Sequence, residues 1–259
     1  MTGKLYIVAT PIGNLCDISE RALETLRSVD LILAEDTRVT RKLLSKYDIK
    51  TRVVSYHHHS GDSKKFEILQ MLEAGENIAL VTDAGTPGVS DPGNELLDFL
   101  YAHTNMAVAS PLANTNRAQF RQAEGMAALK GPTNDRRPEI EQRFEIIPIP
   151  GPSALTVALS ICGFNTSKFI FAGFFPKKKA NKWLNTYFTL DITTIYFDSP
   201  YRLIKNLEKI SDLLKERRIF VARELTKLHE ETYRGTISEV IQMLKTSNPK
   251  GEVVVIVEP

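Results

Sequence analysis

The chain has 259 residues, a formal net charge of +2 and 42% hydrophobic residues. That length and composition support one large or two modest domains with a sizeable core, and they exclude a disordered chain. No apolar run reaches the length of a membrane span, and the near-neutral charge permits a nucleic-acid partner only where basic residues cluster. Cys16 and Cys162 are far apart, form no metal pattern and fit reduced thiols. The first strand begins at Lys4, which leaves no room for a signal peptide, so a cytoplasmic location is expected.

Lys4 to Ala9 reads as a short apolar strand, followed by the loop Thr10-Pro11-Ile12-Gly13-Asn14 and a helix from about Asp17 to Ser28 with Ile18, Ala22, Leu23 and Leu26 on one face. The loop is not G-x-G-x-x-G, so the dinucleotide fingerprint is absent and a structural turn fits it taken alone. Leu31 to Ala34 is a second buried strand ending in Glu35-Asp36-Thr37-Arg38. Such charges at a strand tip are costly to bury. Asp36 or Thr37 can cap the helix Arg38 to Lys46, leaving a site role for Glu35 or Arg38. Val53 to Tyr56 is a third strand, and His57-His58-His59 follows. Adjacent residues of an extended segment point to opposite faces, so a loop is expected there rather than a metal site. A helix from Asp62 to Glu73 turns Phe66, Leu69 and Leu72 to the core.

Ile78 to Val81 then leads into Thr82-Asp83-Ala84-Gly85-Thr86-Pro87-Gly88-Val89-Ser90-Asp91-Pro92-Gly93, ahead of the helical Glu95 to Leu100. This loop leaves the carboxyl end of a strand, where open α/β sheets place their ligands. It is longer than a strand-to-helix turn requires. Gly85, Gly88 and Gly93 allow close backbone approach, Asp91-Pro92 resembles an N-cap and first helical residue, and Asp83 at the strand tip is expected to touch a ligand.

Asn105 to Arg143 changes character: it is rich in Ala, Asn, Arg and Gln and lacks core periodicity. A tolerated surface insertion, partly helical around Gln119 to Leu129, and a basic arm using Arg117, Arg121, Arg136 and Arg137 are the two readings, and the insertion is favoured. Phe144 to Pro148 is the next strand. Ile149-Pro150-Gly151-Pro152-Ser153-Ala154 closes one domain, residues 1–150, and opens a second, residues 151–259, whose first helix is Leu155 to Ile161.

The second domain continues with a strand Phe169 to Ala172, then Gly173-Phe174-Phe175-Pro176 and the basic run Lys177-Lys178-Lys179. A solvated face and a stacking platform with phosphate contacts fit that run equally. Thr194 to Phe197 ends in Asp198-Ser199-Pro200-Tyr201-Arg202, where Ser199 and Arg202 fit either a phosphate or a surface ion pair. Ile219 to Ala222 leads to Arg223-Glu224-Leu225-Thr226-Lys227, and Val253 to Val257 is a fully buried strand. Strand tips carrying charges in both domains point to a shared site.

Five segments carry a resemblance: Ala9 to Leu15, Ala34 to Arg38, Val81 to Gly93, Pro148 to Ala154 and Ala222 to Lys227. In this order they resemble the bacterial 16S rRNA cytidine 2′-O-ribose methyltransferases, which have the tetrapyrrole-methylase fold. The match spans nearly the whole chain except Asn105 to Arg143, where relatives pass directly from helix to strand. The resemblance implies a two-domain α/β fold with the cofactor cleft between domains, a homodimer, and S-adenosylmethionine held by Pro11, Ile12, Gly13, Asp83, Ala84, Gly85, Thr86, Ser153 and Ala154. It implies methylation of a ribose in the small ribosomal subunit with no catalytic metal. Glu224 is placed first as proton acceptor and Glu35 beside it, with Arg223 and Arg38 holding RNA phosphate or keeping a carboxylate ionised. Substrate contacts are expected from His58, Phe175, Lys177, Ser199, Arg202 and Lys227. A tetrapyrrole methylase of the same fold and a non-catalytic RNA-binding module are the alternatives. The charged strand tips and the lysine run weigh against the first, and the Gly/Pro loops against the second.

Overall fold

The computed structural model describes residues 2–58, 60–103, 144–214, 217–247 and 250–259. The readings of Asn105 to Arg143 and of His59 lie outside the described residues. The chain divides into two compact units: Met1–Val8, Glu20–Asp83 and Pro87–Pro150 form the first, and Ala9–Ser19, Ala84–Thr86 and Gly151–Pro259 the second. Two loops that leave strands of the first unit therefore group with the second.

Among the described residues, the first unit holds five strands: β1 (Gly3–Val8), β2 (Leu31–Ala34), β3 (Val53–Ser55), β4 (Ile78–Val81) and β5 (Phe144–Ile149). They run parallel in the order β3-β2-β4-β1-β5. The continuous burial of β2 and β4 is what strands covered on both faces require, whereas β3 at the edge is only half-buried. Helices α1 (Glu20–Ser28), α2 (Thr37–Lys46), α3 (Asp62–Glu73) and α4 (Asn94–His103) follow their strands. One core cluster gathers Leu5, Leu33, Leu80 and Phe144 from the sheet with Ile68, Leu72 and Leu96 from α3 and α4.

Two helix starts differ from expectation. A 3₁₀ turn, Leu15–Asp17, precedes α1, with the Asn14 side chain accepting the Cys16 N–H. Helix α4 begins at Asn94 rather than next to Asp91-Pro92, because Gly93 has φ +138°. The Asn94 amide then donates to the Gly88 carbonyl at 2.8 Å and closes the loop.

The second unit holds β6 (Phe169–Phe174), β7 (Thr193–Asp198), β8 (Arg218–Arg223), β9 (Glu231–Thr236) and β10 (Val253–Val257), in the order β6-β7-β10-β8-β9. Only β6 and β7 pair in parallel; the other pairings are antiparallel. Its helices are α5 (Ala154–Ile161), α6 (Ala180–Tyr187), α7 (Leu203–Leu213) and α8 (Ile237–Thr246). One sheet face packs Tyr196, Val221 and Val255 against Leu203, Leu207 and Val240. The other packs Ile195, Ala222 and Val254 against Ala158 of α5 and Ile12. A capping box between Thr236 and Glu239 starts α8.

Strand β6 carries one extra residue. Phe171 pairs with Ile195 and Phe174 with Phe197, so three steps on β6 match two on β7, and Gly173 between them has φ +67°. This is a β-bulge. It brings Phe171 and Phe174 to the same sheet face, both edge-on to Phe197, and sends Phe175 to the opposite face.

Candidate active site

In the first unit, the pairing of Ala34 with Val81 sets the tips of β2 and β4 side by side. The Asp36 N–H donates to the Asp83 carboxylate at 2.9 Å, and the Asp83 N–H donates to the Glu35 carboxylate. Burial, followed by the Asp83 charge, pushes the Glu35 carboxyl above its ordinary value; His58 and the Asp83 N–H oppose the rise without cancelling it. Asp36 behaves differently. It caps α2 by accepting the Arg38 N–H at 2.8 Å, and the Arg38 guanidinium grips it at 2.6 Å. Those bonds hold Asp36 down at about 2. The capping acid is thus Asp36, Arg38 is engaged by it, and Glu35 remains a half-buried carboxyl of raised proton affinity.

In the second unit, three loops are stitched together. Thr10 and Gly85 exchange backbone hydrogen bonds of 2.8 and 3.0 Å, and the Thr86 hydroxyl donates to the Pro152 carbonyl at 3.3 Å. Gly85 has φ +83°, a conformation that suits glycine. Pro11 and Ile12 are buried in this group, and Ser153 precedes α5 without a side-chain cap bond. Beside it, Ile12, Ala154, Ala222, Leu225 and Val254 line a small apolar pocket with Glu252.

The loop after β8 closes on the same place. Glu224 and Thr226 have left-handed φ angles of 53° and 66°, a conformation that non-glycine residues hold only when their surroundings enforce it. The Glu224 carboxylate accepts from the Lys227 ammonium at 2.8 Å and from the Glu252 N–H at 2.9 Å. The Thr226 hydroxyl accepts the Asn14 N–H at 3.1 Å. A Cβ on Gly13 would lie 2.8 Å from that hydroxyl and 2.9 Å from the Leu225 carbonyl, so the two loops pack with no room to spare. Burial raises the Glu224 carboxyl, but the Lys227 and Glu252 hydrogen bonds and the Lys227 and Arg223 charges outweigh it and hold the group below its ordinary value.

Several expected contacts are replaced by structural ones. Arg223 is 8% exposed, pairs with Glu231 at 2.8 Å and donates to the Lys250 carbonyl at 3.1 Å, so it anchors the sheet edge rather than facing a phosphate. Lys227 is held between Glu224 and Glu252. Phe175 is 2% exposed and packs on Trp183 and Tyr196, whereas Phe174 is 61% exposed. The Ser199 N–H donates to the buried Asp198 carboxylate, and Arg202 precedes α7 with its charge acting on Asp198. Lys177 is exposed. Glu252, Thr226 and Asn14 were not among the expected residues. Only the sheet pairing brings Glu252 opposite Glu224, so no local signal in the sequence marks it.

This fold and loop set define a tetrapyrrole-methylase-type protein. Residues 4–110 match the family model described as Tetrapyrrole (Corrin/Porphyrin) Methylases. Among solved structures, the methyltransferase CobJ superposes with a TM-score of 0.63 at 16% identity, over 99% of this chain and 94% of that one. The chain is 40% identical to ribosomal RNA small subunit methyltransferase I of Thermotoga maritima, over 98% of this chain and 97% of the relative. It is 42% identical to the protein of that name from Synechocystis, over 96% and 77%. The chain belongs to the ribosomal RNA small subunit methyltransferase I family. Among the described residues no helix is long and apolar enough to cross a membrane, and no cluster of side chains has the makings of a metal site.

Proposed function

We propose that the protein transfers a methyl group from S-adenosylmethionine to the ribose 2′-hydroxyl of a cytidine in 16S rRNA, acting on the small ribosomal subunit in the cytoplasm. Near-full-length identity of 40% to a relative named for that subunit carries the reading. The second-unit loops suit the cofactor: the pocket of Ile12, Ala154, Ala222, Leu225 and Val254 offers apolar walls to a flat ring, and Glu252 offers an acceptor. Pro11 to Gly13 and Ala84 to Thr86 supply backbone held in place by the Thr10–Gly85 exchange. S-adenosylmethionine, when bound, supplies an electrophilic methyl on a sulfonium.

A ribose hydroxyl is a weak nucleophile. Glu35 is proposed to accept its proton at a carboxylate oxygen as the ribose oxygen takes the methyl. The raised proton affinity of Glu35 favours it over Glu224, whose carboxylate is already engaged by Lys227 and the Glu252 N–H. Asp83 orients Glu35 through its backbone N–H. Positioning of this kind supplies up to roughly 7–11 kcal/mol. A homodimer is also proposed, on the apolar character of α5, whose Ile161 is exposed.

The test is incubation of assembled small subunits with methyl-labelled cofactor, followed by nucleoside analysis. Label in 2′-O-methylcytidine is expected. Label on a base, or transfer to a tetrapyrrole but not to the subunit, overturns the reading.

A further inference from the structure

We infer that the end of the second sheet formed by β6 and β7 is a stacking platform for single-stranded RNA flanking the methylated nucleotide. Phe174 and Tyr201 are its stacking faces, and Lys177, Lys178 and Lys179 are its phosphate contacts. The inference rests on the RNA-methyltransferase reading above.

Its first support is the bulge. In unbroken alternation along β6, Phe174 would fall on the opposite sheet face from Phe171, and Phe175 would take its place. With the bulge, Phe174 stands beside Phe197 with ring centroids 5.2 Å apart, and Phe197 in turn lies 5.0 Å from Phe171. The row is stiff because the inner two rings are partly buried, while Phe174 at its end is 61% exposed. A glycine with φ +67° and a register shift are needed to present a large apolar ring to water. Bulges re-aim side chains in this way where the sheet does work.

The second support is what leaves the sheet alongside. β6 and β7 are parallel, so the segments following Phe174 and Asp198 emerge at the same end. The first carries Lys177, Lys178 and Lys179, all exposed, and among the described residues none of them has an ion-pair partner. Lys179 has φ +59° and precedes α6, so the run does not continue into a helix that would fan its charges around an axis. The second carries Tyr201 at 86% exposure, followed by Arg202. Exposed rings beside uncompensated cations match the two parts of single-strand recognition: every base has a face to stack, and every linkage a phosphate to neutralise. A protein partner would be met more economically by a contiguous apolar patch without three unpaired lysines.

The experiment is fluorescence anisotropy of a short cytidine-containing single-stranded RNA with the full chain, titrated at several salt concentrations. Phe174→Ala and Tyr201→Ala should each weaken binding by about 5- to 150-fold, the equivalent of about 1–3 kcal/mol per stacked base. Phe174→Trp should keep it. Replacing Lys177, Lys178 and Lys179 by alanine should flatten the slope of log affinity against log salt by about 2. All these side chains are exposed, so folding is checked by unchanged thermal unfolding and unchanged cofactor affinity. Unchanged RNA affinity in Phe174→Ala and Tyr201→Ala, with wild-type methylation intact, overturns this inference and leaves the function standing. Loss of affinity for assembled subunits but not for naked RNA assigns the surface to a protein contact and likewise overturns it. No methyl transfer by the wild type to any RNA overturns the function itself.

Discussion

Asp83 and Glu35 brace each other at the tips of adjacent strands: the Asp83 N–H donates to the Glu35 carboxylate, while the Asp83 carboxylate accepts the neighbouring Asp36 N–H at 2.9 Å. Both acids are thereby fixed in direction, and their charges face each other. Burial raises the proton affinity of Glu35 most, the Asp83 charge adds to it, and the Asp83 N–H offsets part of the rise.

For Glu35→Gln, single-turnover methylation at saturating RNA and cofactor should fall by about 10²–10⁴, with cofactor affinity near wild type. The wild-type rate should climb as pH rises through the elevated Glu35 value, because only the ionised carboxylate accepts a proton, and the variant should lose that limb. A near-wild-type rate for the variant would remove Glu35 from the chemistry.

The same group makes a stability prediction of opposite sign to that of an ordinary paired acid. The folded state holds the Glu35 proton more tightly than the unfolded chain does, so stability falls as pH rises from the ordinary glutamate range through the elevated value. Glu35→Gln should therefore unfold at a higher temperature than wild type at neutral pH, and the gap should close in acid. A lower unfolding temperature at neutral pH would contradict the raised value.

Glu224 is expected to act as a buckle. Glu224→Ala removes the acceptor for Lys227 and for the Glu252 N–H, at a cost of about 1–3 kcal/mol, and loosens the loop whose Leu225, Thr226 and Lys227 pack against Gly13. Cofactor affinity should fall with stability, and Lys227→Met should reproduce much of the loss. For Glu224→Gln, which keeps one acceptor oxygen, the effect should be smaller. A pure rate defect with unchanged cofactor affinity would return Glu224 to the role of base.

Gly13→Ala should be costly although the position is exposed. The added methyl meets Lys227 Cγ, the Thr226 hydroxyl and the Leu225 carbonyl. Overpacking of that kind costs about 1–3 kcal/mol. Isothermal titration should show weaker cofactor binding, by about tenfold for each 1.4 kcal/mol that falls on the bound state. Unchanged affinity would mean that the two loops separate at no cost.

Arg223 gives a clean contrast between anchoring and phosphate binding. Arg223→Ala should lower the unfolding temperature, since Glu231 and the Lys250 carbonyl lose a partly buried donor, yet leave the salt dependence of RNA binding unchanged. A flatter salt slope in a fully stable variant would place the guanidinium on RNA after all.

The strand–helix alternation was legible because β2, β4 and β10 are unbroken apolar runs, which only a sheet covered on both faces accommodates. β9 was not, because Glu231-Thr232-Tyr233-Arg234-Gly235-Thr236 is polar and lies on an edge, where pairing rather than burial makes the strand. The box Thr236-x-x-Glu239 was a local sign of the helix beyond it. At the site, the loop glycines and the acids at strand tips could be read directly. Their partners could not: Lys227 lies near Glu224 in sequence, but Glu252 reaches it only through the pairing of β8 with β10. Of the two rings beside the lysine run, Phe175 is buried and Phe174 exposed, because the bulge makes three steps of β6 match two of β7 and keeps Phe174 on the face of Phe171, which local alternation does not reveal.

The position of β10 also governs when the second unit can exist. Val253–Val257 lies at the centre of its sheet, with β7 on one side and β8 on the other, so neither of those strands has its second neighbour until residue 257 is in place. During synthesis, the pairs β6–β7 and β8–β9 can form, but each keeps an open edge, at β7 and at β8, until β10 inserts between them, whereas every described strand of the first sheet has been made by residue 149. Newly made protein is most exposed to aggregation in that interval, and a chain cut a few residues before Val257 should be degraded rather than merely weakened.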